Sequence, residues 1–275
     1  MAYMSSRFQN IIDAQVELYG RKRIIESMDA IPATTPIHMD DRLRWDKIPS
    51  VISVFVDMKG STQLSAQEHG RGTAGAYQLF TGTAVDLFHE FEAAYIDVRG
   101  DGVFALFNQN QVYRAFAAAV TFKTFADFTF MPKLKEKTDL DLGAHIGIDQ
   151  ETVVVRTIGL RKNPGRDDRQ NEVWAGKPIN MSSKLAGKAE VGELYVSDRY
   201  HKRITDERVR MSCGCKNKER TNVKENLWEA VDVREDPKFD FDIAYCLKAR
   251  WCEIHGEEYC NAIMALETRA KVGAR

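Results

Sequence analysis

The chain has 275 residues, 44% hydrophobic and 29% charged, enough apolar material for one substantial core. Lysine and arginine number 39 against 40 acidic residues, so no basic excess points to nucleic acid and any electrostatic function has to be local. The longest apolar stretches, such as residues 51–56, fall far short of the roughly 18–20 residues that a membrane span needs. The amino-terminal MAYMSSRFQN lacks the charged-then-apolar order of a signal peptide, so a cytoplasmic protein is expected.

Along residues 7–28, Phe8, Ile12, Val16 and Tyr19 recur at helical spacing, and Pro32 and Pro36 close that helix into a linker. Residues 1–47 therefore read as a helical extension that either covers the following domain or pairs with a second copy. Residues 51–56, VISVFV, predict a buried strand ending at Asp57. A turn over residues 58–62 leads into helical sequence as far as about Phe91, with Tyr77, Phe80, Ala84, Leu87 and Phe88 on its apolar face.

Residues 94–98 and 103–107 flank Arg99-Gly100-Asp101-Gly102, and an Asp-Gly between two short apolar runs signals a hairpin. A helix over residues 109–128 turns Val112, Phe116, Ala119 and Phe122 inward. Residues 142–148 and 152–156 read as a second strand pair, followed by a polar loop over 157–171 that carries Arg161, Lys162, Arg166 and Arg169. A helix over 176–190, strands at 193–196 and 226–231, and a helical tail complete the chain. The order fits an α+β protein with a ferredoxin-like β-α-β-β-α-β core and helical extensions at both ends. The boundaries expected are 48–235 for the main domain and 236–275 for the tail.

Five cysteines, Cys213, Cys215, Cys246, Cys252 and Cys260, make an odd count that argues against a disulfide framework. Cys213 and Cys215 with Cys252, His255 and Cys260 could supply zinc ligands. The C-x-C spacing matches the usual C-x2-C poorly and the two groups lie far apart, so free thiols are expected. His38, His69, His89, His145 and His201 form no ligand pattern.

Asp57 at a strand end or Asp101 at a hairpin tip, taken alone, is an ordinary turn former or helix cap. In the predicted topology, however, the first strand and the hairpin are neighbours, so the two carboxylates can meet at one sheet edge. Their repulsion would raise one pKa unless a cation intervened, and magnesium is the hard ion that oxygen ligands suit. Gly60 lies in a strand-to-helix turn whose backbone N–H groups can hold phosphate. Asn180 and Lys184 stand four residues apart on one helix face and can reach a common ligand; alone, they would read as a solvated pair.

Three segments carry a family resemblance: Val54-Phe55-Val56-Asp57-Met58-Lys59-Gly60-Ser61-Thr62, Arg99-Gly100-Asp101, and residues 176–184, GKPINMSSK. In order and separation they resemble the signature regions of class III nucleotidyl cyclases, over about residues 48–231. The resemblance implies a homodimer with composite active sites that converts a nucleoside triphosphate to a 3′,5′-cyclic monophosphate and pyrophosphate. It implies that Asp57, Asp101 and the Met58 carbonyl hold two Mg2+ or Mn2+ ions per active site. Asn180 would orient the ribose, and Lys184 would stabilise charge on the α-phosphate in the place where the family usually has arginine. Lys59, Gly60, Ser61 and Thr62 would meet the triphosphate, with Lys224 as the further lysine on its terminal phosphates.

Base recognition falls to Phe55, Asp97, Arg99, and Glu172 or Val173. Asp97 stands where purine cyclases have Lys or Glu, and it cannot donate to adenine N1. Arg99 can donate to a pyrimidine carbonyl. This set, together with the cysteine-bearing tail, is similar to the bacterial pyrimidine cyclases of phage defence, whose products activate a separate effector protein. UTP is the expected substrate. The alternatives are CTP, a purine nucleotide, a catalytically degenerate dimerisation module, or a diguanylate cyclase, which lacks support because no acidic residue follows Gly100-Asp101.

Overall fold

A computed structural model describes residues 4–33, 37, 41–67, 70–138, 140, 142–160, 170–216, 219–221 and 223–272. The first half comprises α1 (Ser6–Gly20), β1 (Ile24–Ser27), β2 (Arg44–Lys59), α2 (Ser61–Gln67), α3 (Gly70–Glu90), β3 (Tyr95–Arg99), β4 (Gly102–Phe107) and α4 (Val112–Phe125). A π-helical turn (Ala126–Phe130) then runs into α5 (Met131–Lys135). There follow β5 (Gly143–Gly159), β6 (Gln170–Gly176), α6 (Lys177–Lys188), β7 (Leu194–Ser197), and the short helices α7 (Asp198–His201) and α8 (Glu207–Arg210). The small hairpin β8 (Cys215–Lys216) and β9 (Glu219–Arg220), then β10 (Trp228–Asp232), β11 (Ile243–Leu247) and α9 (Gly256–Val272), complete the order.

The main sheet runs β10-β11-β7-β5-β2-β4-β3, with β1 beside the start of β2 and β6 beside the end of β5. Its β5-β2-β4-β3 portion is the expected ferredoxin-like core, with β2 antiparallel to both neighbours. From Ile52 to Met58, β2 alternates between its two faces. Ile52, Val54, Val56 and Met58 enter the main core with Phe80, Phe88 and Phe122 from α3 and α4. Ser53 points the other way, where its Oγ lies 2.8 Å from the Oγ of Ser182 on α6. That helix sits tightly on the sheet because Gly147 of β5 has no side chain to hold it off.

Four expectations are corrected. The second strand pair, 142–148 with 152–156, is a single strand, β5, whose hairpin partner is β6. The triplet Asp149-Gln150-Glu151 reads as a turn, but Asp149 and the Gln150 amide nitrogen find partners from within the strand. Asp149 is fully buried and receives the Arg199 guanidinium at 2.8 and 2.5 Å. The Gln150 amide donates to the Ser50 carbonyl at 3.0 Å, where Pro49 and Ser50 break the β2 ladder in a bulge.

The amino-terminal helix stops at Gly20 rather than near Met28, and residues 24–27 pair in parallel with the start of β2. None of α1 is buried, so it does not cover the domain; Phe8, Ile11, Ile12, Val16 and Tyr19 are all exposed. The segment after 236 is not wholly helical, since β11 inserts between β10 and β7. Lastly, Cys213 and Cys215 are close in space to Cys252 and His255 despite their distance in sequence. The expectations for Arg161, Lys162, Arg166, Arg169, His38 and His69 fall outside the described residues.

His201 is buried against Tyr245, stacked at 3.6 Å between centroids, and its Nε2 has no hydrogen-bond partner among the described residues. Burial, assisted by Arg210 and opposed by Asp198, pushes its pKa down to about 4. The unfolded chain takes up this proton below about pH 6.5 while the folded one does not until about 4, so stability falls as pH drops through that window. His201→Phe should remove on the order of 2–3 kcal/mol of the stability loss between neutral pH and pH 4. Melting curves across that range check this, and an unchanged slope would contradict it.

Candidate active site

The end of β2 and the tip of the β3–β4 hairpin lie side by side. Asp57 Oδ1 is 3.2 Å from the place a Cβ on Gly102 would occupy, and the Phe55 ring lies closer still. Any side chain at position 102 would push into both, so glycine there keeps the carboxylate against the hairpin. Asp101 follows the left-handed Gly100 at φ 66°, the turn that reverses the chain. Burial and the neighbouring Asp101 charge raise the Asp57 pKa to about 6, against a lowering hydrogen bond from the Met58 backbone. A buried carboxylate strained by a second one is the donor set that a hard divalent cation relieves.

Around this pair, Met58 is buried with its side chain in the core, which leaves only its backbone for the site. Lys59 is ion-paired with Glu190, just beyond α6. Gly60, at φ 85°, turns the chain into α2, whose first residues are Ser61 and Thr62. Phe55 stacks on Phe104 with centroids 4.3 Å apart.

Two further residues emerge only from the fold. His145 is the β5 residue opposite Asp57, with Nε2 buried and without a hydrogen-bond partner among the described residues. Burial and then Lys59 lower its pKa, against Glu190, so it stays neutral at neutral pH. Tyr95 lies against Trp174 at 4.8 Å between centroids, and its hydroxyl is 3.5 Å from a Glu172 carboxylate oxygen. Tyr95 thereby brings Glu172 to the strand that carries Asp97, 75 positions away in sequence. Asp97 holds Arg99 through its Nε at 2.7 Å, leaving the other guanidinium nitrogens exposed at the hairpin. Val173 is exposed on β6.

Asn180 and Lys184 are not brought to the carboxylates within one chain. Ser182, between them on α6, meets Ser53, four residues before Asp57 and therefore about 13 Å up the strand. Lys184 donates instead to the Lys238 carbonyl at 2.7 Å. Lys224 pairs with Glu207 at 2.9 Å, just before β10, which is four strands and about 19 Å along the sheet from β2. One chain thus displays two partial constellations.

No family model matches the chain. Solved cyclases share its fold at low sequence identity. The adenylyl cyclase CyaB from P. aeruginosa superposes with TM-score 0.56 at 14% identity, over 74% of this chain and 95% of that one. The guanylyl cyclase Cya2 gives 0.55 at 19%, over 74% and 91%. The architecture is thus that of solved cyclase catalytic domains. Among curated relatives, a uridylate cyclase of Propioniciclava tarda is 34% identical over 83% of this chain and 73% of its own length. Another, of Micromonospora echinofusca, is 31% identical over 92% and 81%. The chain belongs to the uridylate cyclase family.

Among the described residues no helix is long and apolar enough to cross a membrane.

Proposed function

We propose that the enzyme converts UTP to 3′,5′-cyclic UMP and pyrophosphate at sites shared between two copies of the chain. The observation that carries the chemistry is the convergence of Asp57 with the hairpin bearing Asp101; burial first, and then the Asp101 charge, raise the Asp57 pKa. Asp57, Asp101 and the Met58 carbonyl would hold two Mg2+ or Mn2+ ions. When bound, such ions acidify the ribose 3′-hydroxyl and offset triphosphate charge.

The second copy supplies what the first lacks. Asn180 of α6 orients the ribose so that its 3′-oxygen faces the α-phosphorus. Lys184 leaves the Lys238 carbonyl and balances the charge that builds on the α-phosphate oxygens. The 3′-oxygen to phosphorus bond forms as the bond to the β-phosphate oxygen breaks, and pyrophosphate departs. Lys59 and the turn through Gly60, Ser61 and Thr62 hold the triphosphate, with Lys224 reaching it across the dimer.

Uracil is favoured by the names of the relatives and by Arg99, whose free donors suit the carbonyls of that base. Asp97 and Glu172 fix the arginine and the neighbouring tyrosine, Phe55 packs on the ring, and Val173 closes the apolar side. The product would serve as a second messenger for a separate effector protein in bacterial defence against phage, in the cytoplasm.

The test is incubation of the purified protein with Mn2+ and each of the four nucleoside triphosphates, with products identified by mass. Cyclic UMP as the main product is expected. Cyclic CMP alone would move the assignment to cytosine, and cyclic AMP or cyclic GMP alone would overturn the base reading while leaving a cyclase.

A further inference from the structure

Away from the carboxylates, Cys213, Cys215, Cys252 and His255 form a cluster whose four ligand atoms all lie within 4.8 Å of one another. The Cys215 sulfur is 3.3 Å from His255 Nδ1, and the Cys252 sulfur is 4.0 Å from the same nitrogen. In a tetrahedral site with zinc–sulfur bonds of 2.3 Å and a zinc–nitrogen bond near 2.0 Å, ligand atoms stand about 3.5–3.8 Å apart. The cluster is therefore already near the size of a zinc tetrahedron, and contraction of its longest edge by about 1 Å completes it.

Two local devices aim the ligands. In an extended strand, residues two apart would carry their sulfurs in parallel, well separated. Gly214, at φ 79°, folds the backbone between Cys213 and Cys215 so that both face the same point. On the other side, Cys252 and His255 bracket a tight turn entering α9, closed by the Gly256 N–H to the Cys252 carbonyl at 2.7 Å. The Ile254 N–H donates to the Cys252 sulfur at 3.4 Å, the kind of backbone donor that supports a metal thiolate. All four residues are half-buried, and none belongs to the cyclase machinery.

We propose that these residues bind one structural Zn2+ through three thiolates and the His255 Nδ1. Each cysteine gives up its proton on binding. The ion joins the β8–β9 hairpin to the turn before α9, and so fastens the carboxy-terminal helix to the domain. Its soft sulfur ligands distinguish it from the oxygen site at Asp57, which takes Mg2+ or Mn2+. Cys260 and Cys246 stand outside the cluster.

Protein purified without chelators should contain about one zinc per chain. Its X-ray absorption should fit three sulfurs at about 2.3 Å and one nitrogen at about 2.0 Å. Cys252→Ser and His255→Ala should lose the metal, and Cys260→Ser should keep it. Cobalt added to reduced, metal-free wild-type protein should give the thiolate charge-transfer and visible bands of a tetrahedral site, a readout that needs no variant to fold. Reduced wild-type protein that takes up neither zinc nor cobalt with sulfur ligation would overturn the proposal. So would a disulfide between any two of these cysteines, or zinc bound through oxygen alone. None of these outcomes depends on cyclase activity.

Discussion

Asp57→Asn is expected to lower turnover by on the order of 10³-fold or more while leaving the fold intact. The two halves of this result come from the same physics. The native carboxyl is held near a pKa of about 6 by burial and by Asp101, so at neutral pH it is ionised against the preference of its surroundings. An amide of the same shape removes that repulsion, and the metal-free variant should melt no lower than the native protein. On the proposed mechanism it also removes an anionic metal ligand and leaves Asp101 and a carbonyl as the only groups to grip the ions. Measurement of product formation with Mn2+, beside a thermal melt, checks both halves. An Asn variant that still cyclises nucleotide would end the metal reading, and an unfolded one would end the claim that the acidic residue is there for chemistry at a cost in stability.

Gly147→Ala should be the most damaging single methyl group in the catalytic domain. A Cβ there would meet the Ser182 carbonyl oxygen at 2.0 Å, the Ala186 nitrogen at 2.6 Å and the Leu185 Cβ at 3.0 Å. Two of these are backbone atoms of α6, so no rotamer can yield and the helix has to lift. Overpacking of this kind costs about 3 kcal/mol, enough to lower Tm by roughly 6–12 °C in a chain of this size. Because α6 also carries Asn180 and Lys184, the protein that remains folded should turn over more slowly. Gly187→Ala, with nothing within 4 Å, is the control that should be tolerated. A native melting temperature in the Gly147 variant would show that the helix does not rest on the sheet as described.

What was legible in the sequence was whatever rests on local pattern. The apolar run before Asp57 and the Asp-Gly between two short strands placed both carboxylates, because strand ends and hairpin tips are fixed by neighbouring residues. Hidden were the features settled by distant partners. Asp149 reads as a turn residue until Arg199, 50 positions away, is seen to pair with it inside the sheet. β11 is short, and only its place between β10 and β7 makes it a strand. His145 has no motif; its nearness to Asp57 is a matter of register, which strand pairing decides and local sequence does not. The nearness of the cysteines was hidden for the same reason, since Gly214 turns the chain between Cys213 and Cys215, and folding brings Cys215 to Cys252 across 37 positions.

The alternation along β2 has a consequence for how this enzyme can diverge. From Ser53 to Met58 one side of the ribbon is oil and the other is chemistry, so gaining or losing a single residue there would drive Asp57 into the interior and turn valines toward the nucleotide. Descendants of this protein can exchange letters in that stretch but cannot change its count. Length variation has to be absorbed in the connecting loops.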